Sequence, residues 1–266
     1  MGLRPIPETD WLPPVSDLDR RLAARREILA RRPEQARACP QAARGPAREL
    51  LERIAARPGA ENDPVPVSDE PLLAAAERVP DDLCLIDSGD PPRLTAGVLT
   101  APSGWRLDQR LGRDLRALHE PVPGLEAAIG RRMRTFVERL PPERIFERGN
   151  WSLYDDDRDW RPEGDPLAAI PPELGADPSV ARHLFLRCER QTLRRLPECG
   201  WVLFTIRVHS YPVRALAAHP EAAAHLRAAM ASLTPAERRA RRLDRVGAGL
   251  DRWLAGIDAA TRGETA

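Results

Sequence analysis

The stretch Arg187–Tyr211, RCERQTLRRLPECGWVLFTIRVHSY, sets an arginine-dense run directly before an apolar, β-branched one. It reads as one strand leading into a second, buried strand, over Leu184–Leu193 and Trp201–His209. Guanidinium groups at such a sheet end can grip anions bidentately. In an ideal strand Arg187, Glu189 and Gln191 share one face while Cys188 and Arg190 share the other, so the arginines cannot all point at one site. Arg190, Arg194 and Arg195 therefore carry two readings: pairing with some of the chain's many acids, or clamping a dianionic ligand.

Outward from that stretch, Phe146–Tyr154 reads as a further strand, followed by a proline- and acid-rich excursion over Asp155–Pro178. Leu83–Asp87 and Leu94–Thr100 are short β-like runs separated by Ser88-Gly89-Asp90-Pro91-Pro92, which is hairpin material. Between these groups, Leu107–Leu118 reads as one helix and Leu125–Leu140 as a stronger one. Prolines at 121, 123, 141 and 142 stop them. Helical patterns fill Ser16 to about Ala56, a linker spans Pro58–Pro71, a short helix covers Leu72–Arg78, and an alanine-rich helical region runs from Val213 to about Ala259. The order predicts an α+β, PAS-like antiparallel sheet with flanking helices and helical N- and C-terminal extensions. The expected divisions are a helical extension over 1–60, a core over 72–212 and C-terminal helices over 213–266.

The 266 residues carry 41 basic and 40 acidic side chains, a net charge of +1. No overall field draws the chain to nucleic acid or an anionic membrane. All 41 basic residues are arginine, which excludes lysine Schiff-base chemistry and a phosphate-loop lysine. Cys39, Cys84, Cys188 and Cys199 are too scattered for a zinc knuckle or an iron–sulfur motif. Without an apolar signal core or a long apolar run, the expectation is a soluble, cytoplasmic protein.

Five histidines bound the metal chemistry. His219 and His225 sit among alanines, and His183 and His209 near strand ends. His119 differs, because it ends a helix before the rigid Glu120-Pro121-Val122-Pro123-Gly124. An imidazole held in one orientation suits an axial metal ligand, and equally suits helix capping and packing. Trp105 and Trp151 stand at element boundaries, where core packing and a wall for a flat cofactor are both open readings.

Taken together, Pro102-Ser103-Gly104-Trp105, Leu111-Gly112, Leu118-His119-Glu120-Pro121-Val122-Pro123-Gly124, Arg148-Gly149-Asn150-Trp151, Arg187–Pro197 and Leu203–Arg207 resemble, in order, the haem-dependent oxidative N-demethylase family, the dimethylamine-monooxygenase-like haem (alpha) subunit. The resemblance implies a PAS-like fold holding haem b. It implies O₂-dependent oxidation of a small amine or related nitrogen compound, with electrons from a separate flavin/iron–sulfur protein. Under it His119 becomes the iron ligand. Arg190, Arg194 and Arg207 meet the propionates or a polar part of the substrate, and Trp105 walls the cofactor. Glu189, Asn150 and Trp151 become the catalytic pocket. The chain departs from the family after Leu233-Thr234-Pro235, where Glu237-Arg238-Arg239-Ala240-Arg241-Arg242 follows. The rival readings are a haem-binding sensor or carrier without turnover, and a haem-free interaction subunit docking through a basic helix over Arg238–Arg245.

Overall fold

The computed structural model describes residues 2–60, 64–65, 67–118 and 134–263. Its chain forms an α+β arrangement around one seven-stranded antiparallel open sheet. The strands are β1 (Arg4–Ile6), β2 (Arg37–Ala38), β3 (Asp82–Ile86), β4 (Leu94–Val98), β5 (Ile145–Tyr154), β6 (Phe185–Arg195) and β7 (Val202–Pro212). Their order across the sheet is β1-β5-β6-β7-β3-β4-β2. The expected hairpins and long strands are present; β1 and β2 are additions that the sequence reading did not contain.

Two compact units share this chain, and β5, β6 and β7 contribute residues to both. The first comprises Met1–Asn150, Asp159–Glu163 and Glu189–Val208. Here the β3–β4 connection is held by Asp87, whose carboxylate accepts the backbone N–H groups of Gly89 and Arg93 and the Thr95 hydroxyl. That is an aspartate turn closing the Ser88–Pro92 loop. β3 then pairs with β7 in the register Cys84↔Phe204 and Ile86↔Val202.

Alternation along these strands sorts the first unit's core into two faces. Leu83, Leu85, Val98, Ile145, Leu196 and Leu203 pack with the helices Arg44–Ala55 and Pro71–Ala76 and with Trp11. We call this the helical-extension face. Cys84, Ile86, Leu193, Val202, Phe204, Ile206 and Val208 pack instead with residues 105–118 and 136–140 of the β4–β5 connection, and this is the crossover face. The helix Leu18–Arg31 is tied down by buried Arg25, which donates to the carbonyl oxygens of Ala76, Val79, Pro80 and Asp81. Glu49 fastens the β6–β7 tip by accepting the backbone N–H groups of Glu198 and Cys199 at 3.0 and 2.9 Å.

Leu107–Leu118 was expected as one helix. It forms two short ones, Leu107–Arg110 and Leu115–Leu118, because Gly112 turns at φ +75° and Asp114 accepts the Ala117 backbone N–H at 2.8 Å to start the second. Residues 125–133 of the expected Leu125–Leu140 helix lie outside the described residues.

The second unit comprises Trp151–Arg158, Gly164–Cys188 and His209–Ala266. Its core gathers Leu153, Leu167, Ile170, Val180 and Leu184 with the helices Pro220–Ala231 and Leu243–Gly263. The long helix passes so close to the turns before it that a Cβ on Gly249 would stand 2.4 Å from the Asp177 carbonyl oxygen. The single basic helix expected over Arg238–Arg245 is broken: one helix ends at Ala240, Arg242 takes φ +59°, and the next begins at Leu243. Three of its guanidinium groups bond within the unit, while Arg239 and Arg242 stay exposed. Arg238 donates to the Met230 carbonyl, Arg241 to the Trp151 carbonyl, and Arg245 to Asp165.

Candidate functional site

The crossover face of the first unit carries a run of polar residues on β5 and β6. On β5, β6 and β7 the half-buried side chains of Phe146, Leu193 and Phe204 make one apolar row, with Leu118 and Phe136 packed beside them. Two residues further along β5, and two back along β6, the same face presents Arg148 and Gln191, then Asn150 and Glu189. Their hydrogen bonds confirm the alternation: Arg148 Nε donates to Gln191 Oε1 at 2.6 Å, Gln191 Nε2 to Glu189 Oε2 at 2.6 Å, and Asn150 Nδ2 to the same oxygen at 3.3 Å.

Glu189 is only 7 % exposed and Gln191 5 %. A carboxylate this deep is costly without compensation, yet its two bonds come from neutral carboxamides and both fall on Oε2. Oε1 has no partner. Arg148, on this face, is held one side chain away by Gln191. Burial pulls the Arg148 guanidinium below its ordinary pKa, and the Glu189 charge opposes that shift. Among the described residues, neither terminal nitrogen of Arg148 has a hydrogen-bond partner, so toward them the group presents an open fork.

The structure thus brings Asn150 and Glu189 together. Trp151 does not join them, because the next residue of a strand points to the other face, and its ring lies in the second unit's core under Arg241, 4.8 Å from the guanidinium carbon. Trp105 packs on the crossover-face cluster of Cys84, Leu94, Leu99, Leu107, Ile206 and Val208.

Arg190, Arg194 and Arg207 stand on the helical-extension face, with partners of their own. Arg190 Nε pairs with Glu147 at 2.5 Å and its Nη2 donates to the Asp10 carbonyl. Arg194 pairs with Glu8 at 2.5 Å and lies 4.4 Å over the Trp11 ring. Arg207 bonds Asp81 Oδ2 through Nε and Nη2, at 2.9 and 2.7 Å, and the Pro13 carbonyl through Nη1. These guanidiniums secure the N-terminal segment and the start of β3 on the face opposite to Glu189. Arg148 and Gln191 were not singled out from the sequence. Alternation counted from Asn150 and Glu189 is the signal that reaches them.

His119 and the turn through Gly124 lie outside the described residues. Leu118, directly before it, packs into both crossover-face clusters. The other four histidines, His183, His209, His219 and His225, all belong to the second unit. Among the described residues no group of three or more His, Cys, Asp or Glu could hold a metal ion, and no helix is long and apolar enough to cross a membrane.

A cavity of about 230 Å³ lies at the β2 edge, lined by Arg37, Cys39, Arg44, Glu70, Leu72 and Gly97 among others. It falls below the roughly 300–1,000 Å³ of ordinary ligand sites, and is too small for a porphyrin. The crossover face has the better chemistry for a flat, mostly apolar group: aromatic and aliphatic side chains on three adjacent strands, bordered by an open guanidinium and an open carboxylate oxygen. The chain matches the family described as haem-dependent oxidative N-demethylase, alpha subunit-like, over residues 56–250.

Proposed function

Because the chain belongs to the haem-dependent oxidative N-demethylase alpha-subunit-like family, we propose that its crossover face seats haem b and oxidises the N-methyl group of a small amine. His119 is the axial ligand in this reading, as the family resemblance implies; it follows in sequence on Leu118, which packs into both crossover-face clusters, and the four described histidines all belong to the second unit. The row of Phe146, Leu193 and Phe204, with Trp105 beyond it, supplies an apolar wall that keeps water from the reacting centre.

Bound haem supplies reductive activation of O₂. The balanced reaction takes R–NH–CH₃, O₂, two electrons and two protons to R–NH₂, formaldehyde and water. The electrons come from a separate flavin/iron–sulfur protein. Within the chain, Glu189 meets the substrate nitrogen through Oε1, because a cationic or N–H-bearing amine is what a buried, amide-held carboxylate lacks. Asn150 and Gln191 fix the other oxygen and so the orientation of the carboxyl group. Arg190, Arg194 and Arg207 act on the opposite face as structural anchors.

The observation that carries this reading is the buried Glu189 carboxylate with one oxygen held by carboxamides and one open. Reduced, haem-loaded protein mixed with O₂ and dimethylamine is expected to release formaldehyde. Glu189→Gln should lower kcat/KM by about tenfold or more at unchanged haem content, on the order of one charge-assisted hydrogen bond. A stable oxygenated spectrum with no product would support the sensor or carrier instead.

A further inference from the structure

Given the amine-oxidising reading above, we infer that the substrate is an N-methylated amino acid, a zwitterion whose carboxylate is gripped by Arg148 while its nitrogen meets Glu189. A simple dialkylamine uses only half of the polar site. It would engage Glu189 and leave the guanidinium beside it without a counter-ion. Arg4, Arg190, Arg194 and Arg207 on the sheet's strands and around them are each bonded to a carboxylate. Arg148 is half-buried and, among the described residues, bonded only to the neutral Gln191 oxygen. Nε is the nitrogen used, so Nη1 and Nη2 remain as a parallel pair suited to a carboxylate.

Gln191 makes the two charges a single site. It accepts from Arg148 with its oxygen and donates to Glu189 with its nitrogen, so it holds the cation and the anion one carboxamide apart and keeps them from collapsing into a direct salt bridge. An open cation and an open anion, fixed side by side on one face, are complementary to a molecule carrying the opposite pair at short range. An amino acid with a methylated nitrogen is such a molecule, and its methyl group is the one the proposed chemistry attacks.

Isothermal titration of the protein as purified with N-methylglycine and with dimethylamine tests this directly. The expected result is at least tenfold tighter binding of N-methylglycine, with Arg148→Gln bringing the ratio of the two affinities close to one at equal haem content. Equal affinity of the wild type for both ligands would overturn the inference, and needs no variant to fold. So would loss of haem from Arg148→Gln with the wild-type preference absent, which would assign the guanidinium to a propionate. Preferential N-methylglycine binding without formaldehyde release would leave this site standing and remove the demethylase reading.

Discussion

Replacing Arg207 by methionine separates a structural guanidinium from a cofactor anchor. The Arg207 side chain is 4 % exposed and Asp81 is fully buried, with both guanidinium bonds falling on Asp81 Oδ2. Arg207→Met therefore strands a buried carboxylate, at a cost of about 3–5 kcal/mol. That is a large share of the roughly 5–15 kcal/mol that holds a domain together. At about 2–4 °C per kcal/mol for a chain of this size, the melting temperature should fall by roughly 6–20 °C. Adding Asp81→Leu removes the stranded charge as well, and the double variant should recover most of the loss, because a buried pair replaced by apolar groups is often close to neutral. Thermal unfolding followed by tryptophan fluorescence reads the stability, and the Soret absorbance per protein reads haem retention. A single variant that keeps its melting temperature but loses haem would refute the structural assignment and return Arg207 to the propionates.

Gly249→Ala should lower the melting temperature by several degrees, since the new methyl would sit 2.4 Å from one carbonyl oxygen and 2.9 Å from another, that of Gly175, and backbone cannot yield cheaply. An unchanged melt would mean the long helix does not approach those turns. Burial raises the Glu49 pKa, but the Cys199 thiol, the two backbone N–H groups at the β6–β7 tip and Arg53 outweigh it, so the folded value is depressed. Its stabilisation is thus fully present above the unfolded carboxyl value, near 4.3, and is lost as pH falls through the lower folded value. Urea titrations from pH 6 to 3 should show wild type losing stability over that range more steeply than Glu49→Gln; parallel curves would rule the contribution out.

The strands were legible where a single chain segment carries its own signal. β5, β6 and β7 announce themselves by β-branched and aromatic runs, and the β3–β4 hairpin by Ser88-Gly89-Asp90-Pro91-Pro92. β1 and β2 span only three and two residues, and exist because β5 and β4 offer them partners, which no local pattern encodes. The break at Gly112 was hidden because the apolar spacing of Leu107, Leu111, Leu115 and Leu118 fits one continuous helix as well as two. At the site, alternation correctly warned that the β6 arginines divide between faces. It could not say which partners awaited them, since Glu8 and Asp81 lie 186 and 126 residues away from Arg194 and Arg207. Arg148 and Gln191 carry no site signal of their own in the sequence for the same reason: their importance comes from bonding one another across neighbouring strands.

The central claim, an iron porphyrin held on the crossover face by His119, is tested most directly by the absorption spectrum of the purified, haem-reconstituted protein beside that of His119→Ala. The account predicts a Soret band with one haem per chain in the wild type, and its loss or marked shift in the variant while circular dichroism shows the fold retained. Identical Soret bands in both proteins, or none in the wild type after reconstitution, would contradict it.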